Sequence, residues 1–397
     1  MLKSVKPISL LSLLLLAGFA SFGAVLPTPA LPAIASYFHH TTSQTEAVIS
    51  IYLVGYALGQ LIYGPISNRF GRKKPLMTGV VIALIGSVLG AFAAHQHFFD
   101  LFIVSRFIFA IGAAACLVIA MILIKDCNDE INARKTFSKV VLTFAFVPFL
   151  ASTLGGVLTH YFNWQILNAL LIVYAIILLL LVQTLPETLP DENKLLLSLR
   201  YFLNSYKTLF KNFEYIRLIF LFSLASAASY VFNALAPILV IKTMGLTPAL
   251  YGYLSIIPSI GILIGGLVST RFAHKIKAKT FITVGISLIV ISSFALCALF
   301  GAGESNLIAL YAMAIILFIG HALIIPNAGM QALSQISDHG NGTSVMNASA
   351  LFLGSALVSV GGVFIDTTPL LALPIILLAI GLVATLLNLI KRSTQQC

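Results

Sequence analysis

Long apolar stretches alternate with short polar ones along almost the whole chain. Twelve of these stretches have about 20 residues or more, the length that an α-helix needs to cross a lipid bilayer. The first follows Lys3 and Lys6 as a secretory signal does, but its apolar run is too long for a cleaved signal, and we expect it to be retained as a span. We number the predicted spans 1 to 12, and their approximate limits are 8–36, 46–67, 76–94, 99–124, 137–159, 164–184, 216–241, 249–270, 280–300, 306–328, 343–364 and 370–390.

The longest polar break separates spans 6 and 7 and divides the chain into two similar parts. A basic turn follows span 2 at 69–74, and a second basic turn follows span 8 at 271–277. Such internal repeats are typical of membrane transporters. We therefore predict an all-α integral membrane protein with twelve transmembrane helices in two pseudo-symmetric six-helix bundles, residues 1–184 and 216–397, joined by a cytoplasmic linker at 185–215.

The composition excludes most other classes of protein. Hydrophobic residues make up 59% of the 397 residues and charged residues only 9%, whereas a soluble domain is about a quarter charged. The four cysteines form no CxxC pair, so we expect neither a disulfide framework nor a metal site. The chain has no phosphate-binding GxxxxGK[ST] motif, no HExxH and no GxSxG, and we expect neither an enzyme nor a bound cofactor.

The positive charges indicate how the chain lies in the membrane. The net charge is +11, and all of the 23 Lys and Arg residues except Lys242 and Arg106 fall in segments on one side of the twelve-span topology. Cytoplasmic loops of membrane proteins carry such an excess of Lys and Arg. We therefore expect a multi-pass protein of the bacterial inner membrane with both termini in the cytoplasm, and we attribute the charge to topology rather than to nucleic-acid binding.

Several motifs resemble those of one known family. The turn from Gly64 to Leu76 is similar to the signature between helices 2 and 3 of the major facilitator superfamily, and Arg106 resembles an arginine in its fourth helix. Similar segments lie in spans 5, 1 and 10, at Val147–Gly156, Pro29–Ile34 and Pro326–Ala328. The closer resemblance is to the Bcr/CflA subfamily of multidrug efflux proteins. This resemblance implies a major facilitator fold and an antiporter that expels compounds in exchange for protons.

Three positions depart from the family pattern. The acidic residue of the basic turn is Asn68 here, and the tryptophan–arginine pair after span 5 is Trp164-Gln165. The acid that this subfamily usually has in helix 1 aligns with Val25. None of the twelve Asp and Glu residues falls deep within a predicted span, so the usual proton carrier is missing.

Arg106 and His321 lie well inside predicted spans, away from their ends. Arg106 belongs to span 4, where an intramembrane charge is costly and most often functional. We expect it to couple proton or anionic substrate binding to transport, the alternative being a structural arginine bonded to backbone carbonyls of span 1. His321 in span 10 has a side-chain type suited to proton uptake and release. Its alternative is a neutral histidine bonded to a carbonyl.

Polar and aromatic residues recur on several spans at helical spacing. We expect them to line a central substrate cavity, although helix packing is the alternative for each. The predicted cavity residues are Tyr52, Tyr56, Gln60, Tyr230, Asn233 and Asn347.

A second set is predicted to act in gating. The arginines of the basic turn are placed to bond helix C-termini, where the dipole is negative. Proline and glycine in span 5 allow bending and close helix approach. The predicted gating residues are Asn68, Arg69, Gly71, Arg72, Asp126, Pro148, Gly155 and Gly156.

Two transport functions remain open at the level of sequence. The first is proton-coupled efflux of small amphipathic compounds by alternating access. The second keeps the fold but carries anionic metabolites or a carboxylate siderophore, in or out, and Arg106 without an acid deep in the bilayer favours it. We expect a small-molecule substrate, protons and the lipid bilayer as partners, no nucleic acid, and a monomer. A receptor or membrane enzyme is disfavoured because the soluble loops are short.

Overall fold

The computed structural model describes residues 8–127, 130–189, 209–272, 275–303, 305–336 and 339–390. Every regular element in these ranges is a helix, which confirms the predicted all-α class. The chain forms two compact units, Met1–Phe202 with Val240–Ile256, and Leu203–Leu239 with Ile257–Cys397. Residues 240–256 thus cluster with the first unit, although they lie in the second half of the sequence. The predicted domain limits at 184 and 216 stay a prediction.

The helices of both units are long where the sequence is apolar. The first unit contains α1 (Leu10–Val25), α2 (Leu31–Phe38), α3 (Thr42–Thr45), α4 (Ala47–Phe70), α5 (Lys73–His95), α6 (Phe99–Cys127), α7 (Glu130–Tyr161), α8 (Ile166–Thr184) and α10 (Pro248–Leu254). The second unit contains α9 (Phe213–Ile238), α11 (Ile257–Phe272), α12 (Ala278–Gly301), α13 (Leu307–Ser334), α14 (His339–Thr367) and α15 (Ala372–Leu389). Each predicted span therefore coincides with one helix or with two successive helices.

Eleven helical segments in the described part of the chain are long and apolar enough to cross a membrane. One of them, Leu10–Phe38, combines α1, a 3-10 turn at Thr28–Ala30 and α2. A second, Phe213–Thr243, extends α9 through the π-helical turn Leu239–Thr243. A third, Pro248–Phe272, is predicted span 8, which the structure divides into α10 and α11. The long helix α7 is not among the eleven.

Small residues let the helices of each unit approach closely. In the second unit, a Cβ atom added to Gly285 of α12 would stand 2.6 Å from the Gly320 carbonyl oxygen of α13, and the reverse distance is 2.5 Å. In the first unit, a Cβ added to Gly59 of α4 would stand 2.8 Å from the Ile111 carbonyl oxygen of α6. Such contacts are typical of membrane helices, because small residues allow tight backbone packing.

Candidate functional site

Arg106 is held inside the first unit by contacts on two sides. Its Nη2 donates a 2.7 Å hydrogen bond to the Gly23 carbonyl oxygen of α1, and its guanidinium carbon lies 4.6 Å from the centroid of the Tyr52 ring. Only 4% of the residue is exposed. This is the arrangement expected if Arg106 has a structural role, as an arginine bonded to a backbone carbonyl of span 1. The coupling role of Arg106 stays a prediction.

The predicted cavity residues of α4 point into the packed interior of the first unit. Tyr52 is fully buried and donates its hydroxyl to the Ala20 carbonyl oxygen at 2.7 Å. Tyr56 and Gln60, one and two turns further along, are also buried. The structure therefore places all three on one helix face, as predicted. Whether this face meets substrate stays a prediction.

The predicted cavity residues of the second unit are half-buried. Tyr230 of α9 packs on α14, where a Cβ at Gly354 would stand 2.5 Å from the tyrosine ring. Asn233 donates to the Ser229 carbonyl oxygen at 2.8 Å within α9. Asn347 of α14 is also half-buried. Their substrate-lining role stays a prediction.

His321 lies in α13 and contacts α9. Its Nδ1 lies 3.0 Å from the Ala225 carbonyl oxygen. Since a carbonyl only accepts, Nδ1 carries the hydrogen, and Nε2 is the nitrogen that takes up a proton. This bond is the one expected of a structural histidine, and it also fixes the tautomer that a proton carrier would need.

The basic turn is tied to the end of α6 by Arg72. The Nε of Arg72 donates to the Asp126 carboxylate at 2.9 Å in an ion pair that leaves 9% of the arginine side chain exposed. Its Nη1 donates to the Ser67 carbonyl oxygen and to the Asn68 Oδ1, both at 2.9 Å. Three of the predicted gating residues thus form one cluster. Arg69, another of them, is half-buried in the last turn of α4.

Glu187 joins this cluster and was not among the residues predicted from sequence. Its carboxylate accepts hydrogen bonds from the backbone N–H groups of Arg72 at 2.8 Å and Lys73 at 3.1 Å, at the start of α5. The carboxylate also occupies the space beside Gly71, whose φ of +89° suits a glycine. A detectable signal was present, since this acid follows span 6 and the positive-inside pattern places it beside the basic turn.

The pKa of Glu187 reflects this position. Partial burial raises the pKa of the carboxyl, but bonds from four backbone N–H groups together outweigh burial and hold it below the ordinary glutamate value. A lowered pKa means that the folded protein is stabilised by the charged carboxylate. That contribution is fully present above the unfolded pKa of about 4.3 and is lost as the pH falls through the folded value.

We expect Glu187→Gln to lower the thermal midpoint at pH 7, because the amide keeps the size but loses the charge that attracts the N–H groups. The difference in thermal midpoint between variant and wild type should disappear as the pH is lowered from about 5 to 3, since the wild-type carboxyl then takes up a proton. Thermal unfolding of the purified variant and wild type across this pH range measures the difference. A difference in thermal midpoint that does not change with pH would show that the charge of the carboxylate does not stabilise the folded protein.

Two adjacent glycines of α7 lie against the backbone of two different segments of the first unit. A Cβ at Gly155 would overlap the Leu26 carbonyl oxygen just after α1, and a Cβ at Gly156 would overlap the Pro248 carbonyl oxygen of α10. Nearby, the Thr153 hydroxyl donates to the Gly252 carbonyl oxygen at 2.8 Å. Pro148 lies about two turns before these glycines in the same helix and is half-buried. The close approach that span 5 predicts is thus seen at both glycines.

The sequence of this chain matches a known protein family. Residues 13–359 match the Major Facilitator Superfamily. A bicyclomycin resistance protein homolog of Haemophilus influenzae is 25% identical over 283 residues, or 71% of this chain and 70% of that protein. The multidrug resistance protein MdtL of Citrobacter koseri is 30% identical over 308 residues, or 71% of this chain and 74% of that protein.

The fold comparison agrees with the sequence comparison. The crystal structure of a D-xylose–proton symporter superposes with a TM-score of 0.74 at 17% identity, covering 96% of each chain. At that identity the likeness concerns the fold alone. Because the family match extends over most of the sequence, this chain belongs to the Major Facilitator Superfamily and, within it, resembles multidrug efflux transporters.

Proposed function

We propose that this protein is a secondary active transporter of the bacterial inner membrane that exports small amphipathic compounds in exchange for protons. The proposal includes twelve spans in two six-helix bundles, both termini in the cytoplasm, and alternating access as a monomer. It catalyses no chemical conversion. The resistance proteins named among its relatives support efflux as the direction.

The observation that carries the proposal is the cluster at the basic turn. Arg72 bridges the end of α4 to the end of α6 through Asn68 and Asp126, and Glu187 adds the segment after α8. When such a cluster opens, water hydrates both separated partners, so that opening costs much less than removing one partner and leaving the other unpaired in the closed protein. A reversible gate needs this property, whereas a purely structural joint is better served by apolar packing.

A second candidate cargo is an anionic metabolite or carboxylate siderophore. Arg106 favours it, because this buried cation has no ion-pair partner among the described residues. A substrate carboxylate that reached Arg106 would supply the missing negative charge.

Transport into and out of proteoliposomes with an imposed pH gradient tests both candidates. Proton-driven efflux predicts that a cationic dye moves against its gradient only while the pH gradient lasts. Dye transport that ignores the gradient would refute proton coupling. Dye transport that survives Arg106→Ala would count against the anionic cargo, and uptake of a carboxylate without any dye transport would favour it.

His321→Gln separates a proton-carrying histidine from a structural one. Glutamine retains an N–H that can donate to the Ala225 carbonyl oxygen, but it cannot take up a proton near neutral pH. We expect the variant to fold and its transport rate to vary much less between pH 6 and 8 than that of the wild type. The exposed His95 provides the matched control, and His95→Gln should keep the wild-type profile. An unchanged profile in His321→Gln would make this histidine structural.

A further inference from the structure

The two units contain the same helix contact at equivalent places. In the first unit, a Cβ atom added to Gly79 of α5 would stand 2.8 Å from the Gly112 carbonyl oxygen of α6. In the second unit, a Cβ added to Gly285 of α12 would stand 2.6 Å from the Gly320 carbonyl oxygen of α13. These contacts define a register in which residues of one unit can be matched to residues of the other.

This register matches the ion pair of the first unit to two small residues of the second. Arg72, seven residues before the glycine of α5, corresponds to Ala278, seven residues before the glycine of α12. Asp126 and Ser334 likewise lie fourteen residues after the glycines of α6 and α13. Ala278 and Ser334 both line a cavity of about 380 Å³ in the second unit. The cavity thus lies where the first unit has its ion pair, and the two short side chains leave that space open.

The cavity lining is polar but carries no charge. Its polar members are Ser269, Thr270, Asn327, Gln331 and Ser334. Ser269 is 7% exposed, and its hydroxyl oxygen accepts a 2.9 Å hydrogen bond from the Asn327 amide, but the hydroxyl hydrogen has no acceptor within the described part of the chain. Buried donors are almost always paired in native structures. The volume is many times what one water molecule needs, so the cavity admits a polar group of several atoms.

The first turn of α12 lacks an anion that the equivalent turn of the first unit has. Glu187 accepts hydrogen bonds from the N–H groups of Arg72 and Lys73, which correspond in the register to Ala278 and Lys279. Among the described residues no side chain caps the start of α12, and the sequence after α15 contains no Asp or Glu. The first N–H groups of a helix have no partner within the helix and attract anions. A ligand that replaces Glu187 would therefore be acidic.

The charges around the cavity also favour an acidic ligand. The exposed cations at the end of α11 and the start of α12 are Arg271, Lys275, Lys277 and Lys279. The Glu214 carboxylate of the same unit is already paired with the Arg217 Nε at 2.9 Å, and Asp338 lies outside the described residues. An amine in the cavity would find no carboxylate in the lining, whereas the hydroxyl and amide groups suit a hydroxylated ligand.

We propose that this cavity binds the headgroup of an acidic phospholipid with a hydroxylated end, as in phosphatidylglycerol. The phosphate lies beside the first turn of α12, and the headgroup hydroxyls lie beside Ser269 and Gln331. Leu267 and Met330, which are 69% and 70% exposed, provide apolar surface for the acyl chains. The inference rests on the proposed topology, in which the start of α12 faces the cytoplasmic leaflet. Lipid binding and transport are measured separately, so either proposal can fail without the other.

Hydrogen exchange of the wild type tests the site without any variant. In nanodiscs, replacing part of the phosphatidylcholine by phosphatidylglycerol should slow exchange in a peptide covering residues 277–281 by at least about threefold, because the phosphate pairs the free N–H groups. The equivalent peptide at the start of α5 is the matched control, and its exchange should not change because Glu187 already holds its N–H groups.

Four results of this experiment would overturn the proposal. Unchanged exchange at residues 277–281 would mean that no lipid phosphate binds there. Equal slowing at α5 and α12 would show only a general effect of surface charge. Equal slowing by phosphatidylethanolamine would refute the acidic headgroup, and equal slowing by soluble glycerol phosphate would make the occupant a free phosphate rather than a lipid.

A double variant closes the cavity with the groups that occupy the first unit. Ala278→Arg combined with Ser334→Asp adds one positive and one negative charge, so the net charge of the protein stays the same. We expect the added pair to fill the cavity and to weaken phosphatidylglycerol binding, measured by native mass spectrometry, by at least about tenfold. Lys74→Gln removes an exposed cation of the first unit and should leave binding unchanged. Undiminished binding to a double variant that unfolds at the wild-type temperature would refute the site.

Discussion

Gly155→Ala is expected to destabilise the folded protein by about 2–3 kcal/mol, the upper part of the range of about 1–3 kcal/mol for an overpacked core. The added methyl group would overlap the Leu26 carbonyl oxygen, which belongs to the backbone and cannot rotate away as a side chain can. Either α7 must move or the turn after α1 must shift. Thermal unfolding in detergent should show a fall of about 5 °C or more in the midpoint. Transport should fall with it, because α7 also contacts α10 through the next residue, Gly156.

Two other glycines provide matched controls for this substitution. Gly64 of α4 and Gly266 of α11 are helical like Gly155, but a Cβ at either would have no neighbouring heavy atom within 4 Å. Alanine at these positions should be neutral or stabilising by about 0.5–1 kcal/mol, because the unfolded chain loses freedom. Equal destabilisation at all three positions would mean that helix flexibility, rather than the contact with Leu26, is the property that matters.

The parts of the fold that depend on local composition were predictable from the sequence. Each of the twelve apolar stretches is helical, because length and hydropathy alone decide that a segment satisfies its backbone within a helix. The small residues of span 5 likewise predicted a close helix contact, and Gly155 and Gly156 both make one.

Other features depend on partners far along the chain, and the sequence alone does not reveal them. Arg106 bonds to the carbonyl of Gly23, 83 residues away, and a backbone carbonyl leaves no mark on the sequence because every residue has one. For Glu187 the sequence indicates only that the acid lies on the side of the basic turn, and it does not reveal the bond to the N–H of Arg72 across 115 residues. The association of residues 240–256 with the first unit also rests on such a contact, between Thr153 and the Gly252 carbonyl.

Arg72→Gln is expected to lower the stability of the folded protein by about 2–3 kcal/mol. Removing one partner of a buried ion pair costs about 3–5 kcal/mol, and we expect a loss at or below the lower end of this range because 22% of the Asp126 side chain is exposed. The bond to the Ser67 carbonyl oxygen at the end of α4 is lost as well. If the cluster is a gate, it stabilises one of the two access states more than the other. The transport rate of Arg72→Gln should then change by more than its lower folding stability explains. Thermal unfolding and proteoliposome flux measured on the same variant separate the two effects.

A double-mutant cycle decides whether Arg72 and Asp126 act as a pair. Asp126→Asn alone should also destabilise, and the double variant should lose less than the sum of the two by at least about 0.5 kcal/mol. Lys74→Gln, on an exposed side chain of the same turn, should stay within about 0.5 kcal/mol of the wild type. Asn68→Asp should act in the opposite direction, since Arg72 Nη1 already lies 2.9 Å from the Asn68 Oδ1 and would gain a second charged partner. If the losses from Arg72→Gln and Asp126→Asn simply add, the two residues act independently and the ion pair does not hold this end of the helices together.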